Sequence, residues 1–259
     1  MGTLYRLTLT AYMLFLTVAG NRLANRKTQD DYMNICLDGQ NHKSAPGPEA
    51  DLMDKCKPWK NRSCCTKEVS ELLHINRTWY NFDWNHCDQP LSDRCRARFI
   101  EDLCFYECSP NVGPWLMQVD MKIRNEKFMH VPLCETECNE WWEDCKDDFT
   151  CLKNWGRGFI WRNGTNKCPK EAKCKSFHNV YDGAKDFCEN VWDHSWKVVP
   201  DDDPAGCMVM WFDPIRENPN DAVAKLKVQM LLSGSVSLVI PSFLYQVLIF
   251  ILFILFVSS

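Results

Sequence analysis

Sixteen cysteines, all lying between Cys36 and Cys207, constrain this 259-residue chain more than any other feature. An even number of cysteines behind a secretory leader reads as a disulfide framework formed in an oxidising compartment. The leader is visible in the sequence. Arg6 precedes an uncharged apolar run from Leu7 to Gly20 that ends on the small residues Ala19 and Gly20, which predicts a signal peptide over residues 1–20. Zinc is the competing use of cysteine, but no Cys-x-x-Cys pair occurs and none of the six histidines stands at ligand spacing from a cysteine pair. Eight disulfides and no metal are therefore expected, and a cytosolic enzyme is excluded.

The far end is apolar as well. No charged residue follows Lys227, and Val236 to Val257 is interrupted only by Ser237, Pro241, Ser242 and Gln246, a length that could span a bilayer. The small residues Ser233, Gly234 and Ser235 precede it, and no Lys or Arg follows to hold a cytoplasmic end. This favours a GPI-attachment signal with the anchor on Ser233 and residues 234–259 removed, over a retained transmembrane helix. Between the two ends no Gly/Ser/Pro-rich linker and no fixed-period repeat divides the chain, so residues 21–233 are expected to form one ectodomain. A net charge of -4 leaves no basic footprint for nucleic acid. Three sequons, at Asn61, Asn76 and Asn163, agree with passage through the secretory pathway to the cell surface.

Two stretches carry helical patterns. Ser92 can cap a helix from Asp93 to about Cys108, in which Cys95, Phe99, Asp102 and Tyr106 share one face before Ser109-Pro110-Asn111 ends it. A second helix is predicted from about Cys134 to Asp148, with Cys134, Cys138, Trp141 and Cys145 at the same spacing. Cysteines four apart on one helix point the same way and cannot easily bond each other, so each should staple its helix to a different neighbour. The remaining segments, rich in Trp, Gly, Asn and Pro, read as loops and short strands. The expected class is α+β with much irregular structure, a single disulfide-rich globular domain with several helices, short strands and long loops.

Asp102 stands out, because a carboxylate on the buried face of a helix is strongly disfavoured without partners. It either caps a loop or pairs with a core arginine, or it receives a ligand. Eleven tryptophans exceed what a small stapled core needs, and flat rings suit a planar ligand. Trp141 and Trp142, on the second helix, read as core. Trp155 and Trp161, around Gly156 and Gly158, read as a loop at a binding edge. Catalysis finds little support: there is no Gly-x-Ser-x-Gly elbow and no His/Glu metal motif, and oxidised cysteines cannot act as nucleophiles. Glu143 and Asp144 are adjacent, so they diverge by about 100° on a helix and read as a solvated face rather than an acid/base pair.

A run of local motifs carries a resemblance: Asn34-Ile35-Cys36, Pro46-Gly47-Pro48-Glu49, Cys64-Cys65, Phe82-Asp83-Trp84-Asn85-His86-Cys87, Tyr106-Glu107-Cys108-Ser109-Pro110-Asn111, Gly113-Pro114-Trp115, Val131-Pro132-Leu133-Cys134, Trp141-Trp142-Glu143-Asp144-Cys145, Thr150-Cys151 and Met210-Trp211-Phe212-Asp213-Pro214. From about Asn34 to Asn220 the chain resembles the folate receptor family, with its cysteines in matching order. By that order the resemblance implies the pairs Cys36 with Cys64, Cys56 with Cys104, Cys65 with Cys108, Cys87 with Cys174, Cys95 with Cys145, Cys134 with Cys207, Cys138 with Cys188, and Cys151 with Cys168. Sequence arithmetic alone cannot choose among the many pairings.

The resemblance also implies that the helices, short strands and long loops surround a deep ligand cleft, in which folate or 5-methyltetrahydrofolate is held pterin-first, with no cofactor. Its pterin-binding aspartate falls on Asp102, where an ionised carboxylate could accept two adjacent N–H donors. Its stacking pair falls on Tyr80 and Trp192, with Phe82, Trp84 and Tyr106 as walls. Arg124 matches a guanidinium on the pterin's acceptor edge, Lys127 replaces a second arginine, and Ser195 matches a hydroxyl there. Trp155, Gly158 and Trp161 match the loop around the benzoate and tail. Four positions depart from the family pattern. Ile123 and Phe159 stand where tryptophan is found, Gly156 where histidine is common, and Arg157 where lysine is common; Arg157 could still pair with a tail carboxylate. The implied role is a cell-surface receptor that takes folate in by endocytosis, released when acidification protonates Asp102 or nearby His194. Two alternatives accompany it. The Juno-like egg-surface branch of the family binds a protein partner on sperm instead of folate, but its pterin aspartate is replaced, whereas Asp102 is present here. A flavin is the other, offering a carboxylate fewer adjacent donors.

Overall fold

The structure, a computed structural model, describes residues 22–76, 78–121 and 123–234. The expected signal peptide and the apolar tail beyond residue 234 lie outside the described residues. Among those described, no helix is long and apolar enough to cross a membrane.

The organising element is α3, Asp93–Cys108, with α4, Glu135–Cys145, beside it. Shorter helices α1 (Gln29–Met33), α2 (Lys67–Ile75) and α5 (Ala184–Asn190) surround them, and a last helix, α6, covers residues 220–234. Among the described residues ten short strands pair only in twos, and no extended sheet forms. Those that matter for the site are β1 (Thr78–Trp79) with β2 (Phe82–Asp83), β3 (Leu116–Met121) with β4 (Arg124–Phe128), β5 (Val131–Cys134) parallel to β10 (Trp196–Val199), and β7 (Ile160–Arg162) with β8 (Thr165–Lys167), while β6 (Phe149–Thr150) pairs with β9 (Lys175–Ser176). The mixed α+β class, with long connections, is the one the sequence predicts.

Both predicted helices form, for the reasons read from their ends. The Ser92 side chain accepts from the Cys95 N–H at the start of α3. α4 is shorter than expected: it stops at Cys145 instead of Asp148. The Asp148 carboxylate leaves the helical path to accept from the Ser92 backbone N–H (3.0 Å) and Ser92 Oγ (2.7 Å), tying the end of one helix to the start of the other. Sequence periodicity carries no trace of such a cross-helix cap.

Eight disulfides brace one continuous aromatic-rich core, and their pairs coincide with those implied by cysteine order. Cys95, Cys104 and Cys108 of α3 go to Cys145, Cys56 and Cys65, three different neighbours, and Cys138 of α4 goes to Cys188 of α5. In the chain-entropy picture each closure restricts the unfolded chain by about 3–5 kcal/mol for separations running from 17 to 87 residues. With such stapling α3 is enclosed on nearly every side. Its buried residues include Glu101, Asp102 and Glu107 as well as the apolar stripe. A 16-residue helix with three buried carboxylates is held in place by its surroundings, not by its own amphipathicity.

Candidate ligand-binding site

The floor is laid by Asp102. Its residue is 3% exposed, and Oδ1 accepts from the Trp196 indole N–H at 2.8 Å. Trp196 is held there by the β5–β10 pairing, which fixes Trp196 opposite Val131. Among the described residues no arginine or lysine pairs with Asp102, which removes the core ion-pair reading. Burial pushes its pKa up to about 7, and the indoles of Trp196 and then Trp192 hold it back only in part. The Trp192 N–H acts on this carboxylate electrostatically yet lacks hydrogen-bond geometry to it, and it is buried without an acceptor. A buried carboxylate holding one clean hydrogen bond has accepting capacity left over.

One wall hangs on a strained hairpin. β1 and β2 are joined by the two residues Tyr80 and Asn81, at φ 51° and 62°, the paired left-handed geometry of a type I′ turn. Asn adopts it readily; tyrosine does so at a cost on the order of 1 kcal/mol. The return is the placement of the Tyr80 ring, edge-on to Trp79 at 5.5 Å, with its hydroxyl buried and unpartnered. Burial, and then the neighbouring Glu107 carboxylate, hold that phenol well above its ordinary pKa.

The β2 side of the same hairpin joins an aromatic cluster. Phe82 meets Trp155, Phe159 and Trp192 at ring distances of 5.6, 5.3 and 5.8 Å, and His86 packs on Trp155 and Phe159 at 5.0 and 4.8 Å. Burial drives the His86 pKa down to about 4, so it serves as a neutral ring, bonded to Thr150 Oγ1 at 3.1 Å. Among the described residues Tyr80 and Trp192 make no ring contact with each other; Tyr80 meets Trp79 and Trp192 meets Phe82, Phe99 and Trp155.

A polar cluster closes the side next to Tyr80. Arg124, on β4, donates from Nη1 to the Tyr106 hydroxyl at 3.0 Å and lies over that ring at 5.5 Å. Burial pushes the Tyr106 phenol up to about 12. Glu107, fully buried, accepts from the Trp79 indole at 2.8 Å, and its other oxygen lies 3.5 Å from His42 Nδ1 without hydrogen-bond geometry. Burial raises the Glu107 pKa. Sequence reading missed Glu107, His42 and Trp196. Glu107 lies off the Cys95–Tyr106 stripe, and His42 comes from a loop with no periodicity.

Lys127, largely buried, and Arg157, largely exposed, converge on one carboxylate. Both donate to Asp193 Oδ2, at 3.0 and 2.9 Å, while Asn154 donates to Oδ1 at 2.9 Å. Ser195 Oγ donates to the Trp192 carbonyl at 2.8 Å, within its own turn. Gly158, at φ 93°, lets the chain turn between Arg157 and Phe159 where a side chain would be strained.

Three expectations change. Trp155 is no edge residue: it is 3% exposed, stacked on Phe99 at 4.8 Å and 8°, and donates Nε1 to Thr150 Oγ1. Its two flanking glycines suggested a surface loop, but the Cys151–Cys168 bridge and the Trp155 N–H to Val191 carbonyl bond draw it inward. Trp84 is likewise core, buried and 6.4 Å from the Phe99 ring. His194 is exposed, its ring 6.2 Å from His130, and it takes no part in the shift of Asp102. Trp161, 56% exposed on β7, does sit on an open edge. A concavity of about 390 Å³ lies elsewhere, between α3 and α4, where Arg98 pairs with Glu140 and Asp144.

A disulfide-framed binding module, with the under-coordinated buried carboxylates Asp102 and Glu107 among flat rings, is the class these features define. The chain matches the folate receptor family over residues 35–209. It is 40% identical to human folate receptor gamma over 228 residues, 87% of this chain and 93% of that protein. With human folate receptor alpha the identity is again 40%, over 221 residues and 85% of each chain. It is also 34% identical to the riboflavin-binding protein of Dromaius novaehollandiae over 170 residues, 63% of this chain and 66% of that one. The chain belongs to the folate receptor family.

Proposed function

We propose that this chain binds folate, pterin head inward, and serves at the outer face of the cell membrane as a GPI-anchored receptor that carries it inward by endocytosis. The observation that carries the reading is Asp102: a buried carboxylate with a single indole partner, flanked by unpaired rings, suits the adjacent N–H donors of a 2-amino-4-oxo-pterin. Tyr80 and Trp192 supply the faces and Tyr106 a wall. Arg124, whose Nε is buried without a partner, supplies a donor for the pterin's acceptor edge. The names of the relatives support the ligand class, since folate receptors cover most of the chain and riboflavin-binding proteins a smaller share of it.

The test is equilibrium dialysis of the purified ectodomain against folic acid and, separately, riboflavin. Retention of folic acid at micromolar concentration with little riboflavin supports the reading. The reverse preference assigns the site to a flavin, and retention of neither rejects a vitamin ligand in favour of a protein partner such as one on sperm. Ser233 lies in the last turn of the described part of α6, exposed to solvent. Release of the protein from cells by a GPI-cleaving phospholipase tests the anchor.

A further inference from the structure

Asp193 is fixed where two candidate ligand cations converge, and its carboxylate already uses both. It sits at φ 52° with His194 at φ 63°, a left-handed pair held by bonds from the Asp193 N–H to the Asn190 carbonyl and from the His194 N–H to the Glu189 carbonyl. The side chain is pinned by three donors, from Lys127, Arg157 and Asn154. Burial acts to raise its pKa, but those three hydrogen bonds outweigh it and bring the value down to about 2, so the group is charged at every physiological pH.

Gly156 makes the arrangement possible. A Cβ at that position would meet Asp193 Cβ at 3.1 Å and Asn154 Oδ1 at 3.2 Å, so a larger residue would require these neighbours to give by a few tenths of an ångström. Gly156 thus packs closely against the Asp193 side chain, whose Cβ is nearest and whose carboxyl carbon lies 4.0 Å from the same point. Arg157, with its side chain 73% exposed, is the partner that faces solvent, while Lys127 is only 10% exposed.

We propose that Asp193 is a specificity-determining residue that stands in for a ligand carboxylate at the mouth of the site, so that the chain selects ligands by their flat head and discriminates against an anionic tail. This rests on the folate reading above. A tail carboxylate approaching Arg157 must displace Asp193 or meet its charge, and like charges brought together at an interface are strongly disfavoured. The site consequently favours a pterin with a short, neutral substituent over one with a glutamate or polyglutamate chain.

The experiment is the affinity ratio of folic acid to 6-hydroxymethylpterin, measured by calorimetry for wild type and Asp193→Asn. The two ligands share the head, so any change at Lys127 that acts on the head cancels in the ratio. Asparagine tolerates the left-handed backbone and keeps a hydrogen-bonding side chain without the charge. The ratio is expected to rise about tenfold in Asp193→Asn, and to stay unchanged when the same substitution is made in an Arg157→Ala background. A ratio the same in wild type and variant overturns the role of Asp193 while leaving folate binding intact. A rise that persists without Arg157 overturns the assignment of Arg157 as the tail's partner. If neither ligand binds either protein, both this inference and the folate reading fall. Asp193→Ser serves the same test should the Asn variant fail to fold.

Discussion

Lowering the pH should loosen the ligand through Asp102. In the unliganded protein burial places the Asp102 pKa at about 7, whereas a ligand donating two N–H groups to it requires the ionised form and lowers the bound pKa far below that. Affinity therefore follows the ionised fraction of the free protein. It is roughly three quarters at pH 7.5 and about 3% at pH 5.5, a fall of about 25-fold in affinity, or ~2 kcal/mol. The assay is calorimetric titration with 6-hydroxymethylpterin, whose head carries the donors without the tail carboxylates, at both pH values and in buffers of different ionisation enthalpy. About 0.9 of a proton should leave per ligand bound near pH 6. Asp102→Asn removes the titrating group, so its weaker binding should hardly change between the two values. A wild-type affinity constant within twofold across that range, or an equal pH dependence in Asp102→Asn, would refute the reasoning.

Stability should move the other way. Because the folded pKa of Asp102 lies above its unfolded value of 3.8, folding carries no penalty from this group below about pH 4. The penalty grows as pH rises towards 7, where it reaches about 4 kcal/mol. Asp102→Asn should thus raise the thermal midpoint of the unliganded protein at pH 7.5 and leave it nearly unchanged at pH 4, as differential scanning calorimetry can show. Trp196→Phe removes the one clean donor to Asp102 and should shift the pH midpoint of ligand binding upward by about 1–2 units, since a hydrogen bond to a charged group contributes roughly 1.5–3 kcal/mol. Replacing Cys151 and Cys168 by serine opens the 17-residue closure beneath Arg157 and Phe159. Faster amide exchange should then be confined to that loop, and folic acid should weaken more than 6-hydroxymethylpterin.

How far the sequence reached depends on what kind of signal each residue leaves. The two long helices were readable because cysteines and apolar residues at helical spacing mark a face, and Ser92 marks a start. Asp102 was readable because it breaks that face. Glu107 was not, because stapling buries α3 on sides that a single stripe does not mark. Trp155 misled for a related reason: glycines at 156 and 158 signal a turn, but a disulfide and an indole bond to Thr150 decide on which side of the surface it lies. Asp193 stands between two residues singled out for the site, Trp192 and His194. Its role depends on the missing side chain at Gly156, a spatial relation with no local pattern.

The central claim is that the Asp102 carboxylate receives the ligand's paired N–H donors. Calorimetric titration of folic acid into wild type and Asp102→Ala at pH 7.5 tests it most directly, with thermal unfolding of each to confirm the fold. Two charge-assisted hydrogen bonds are at stake, so the variant should bind at least about 100-fold more weakly while remaining folded. Equal affinity in the two proteins would contradict the claim.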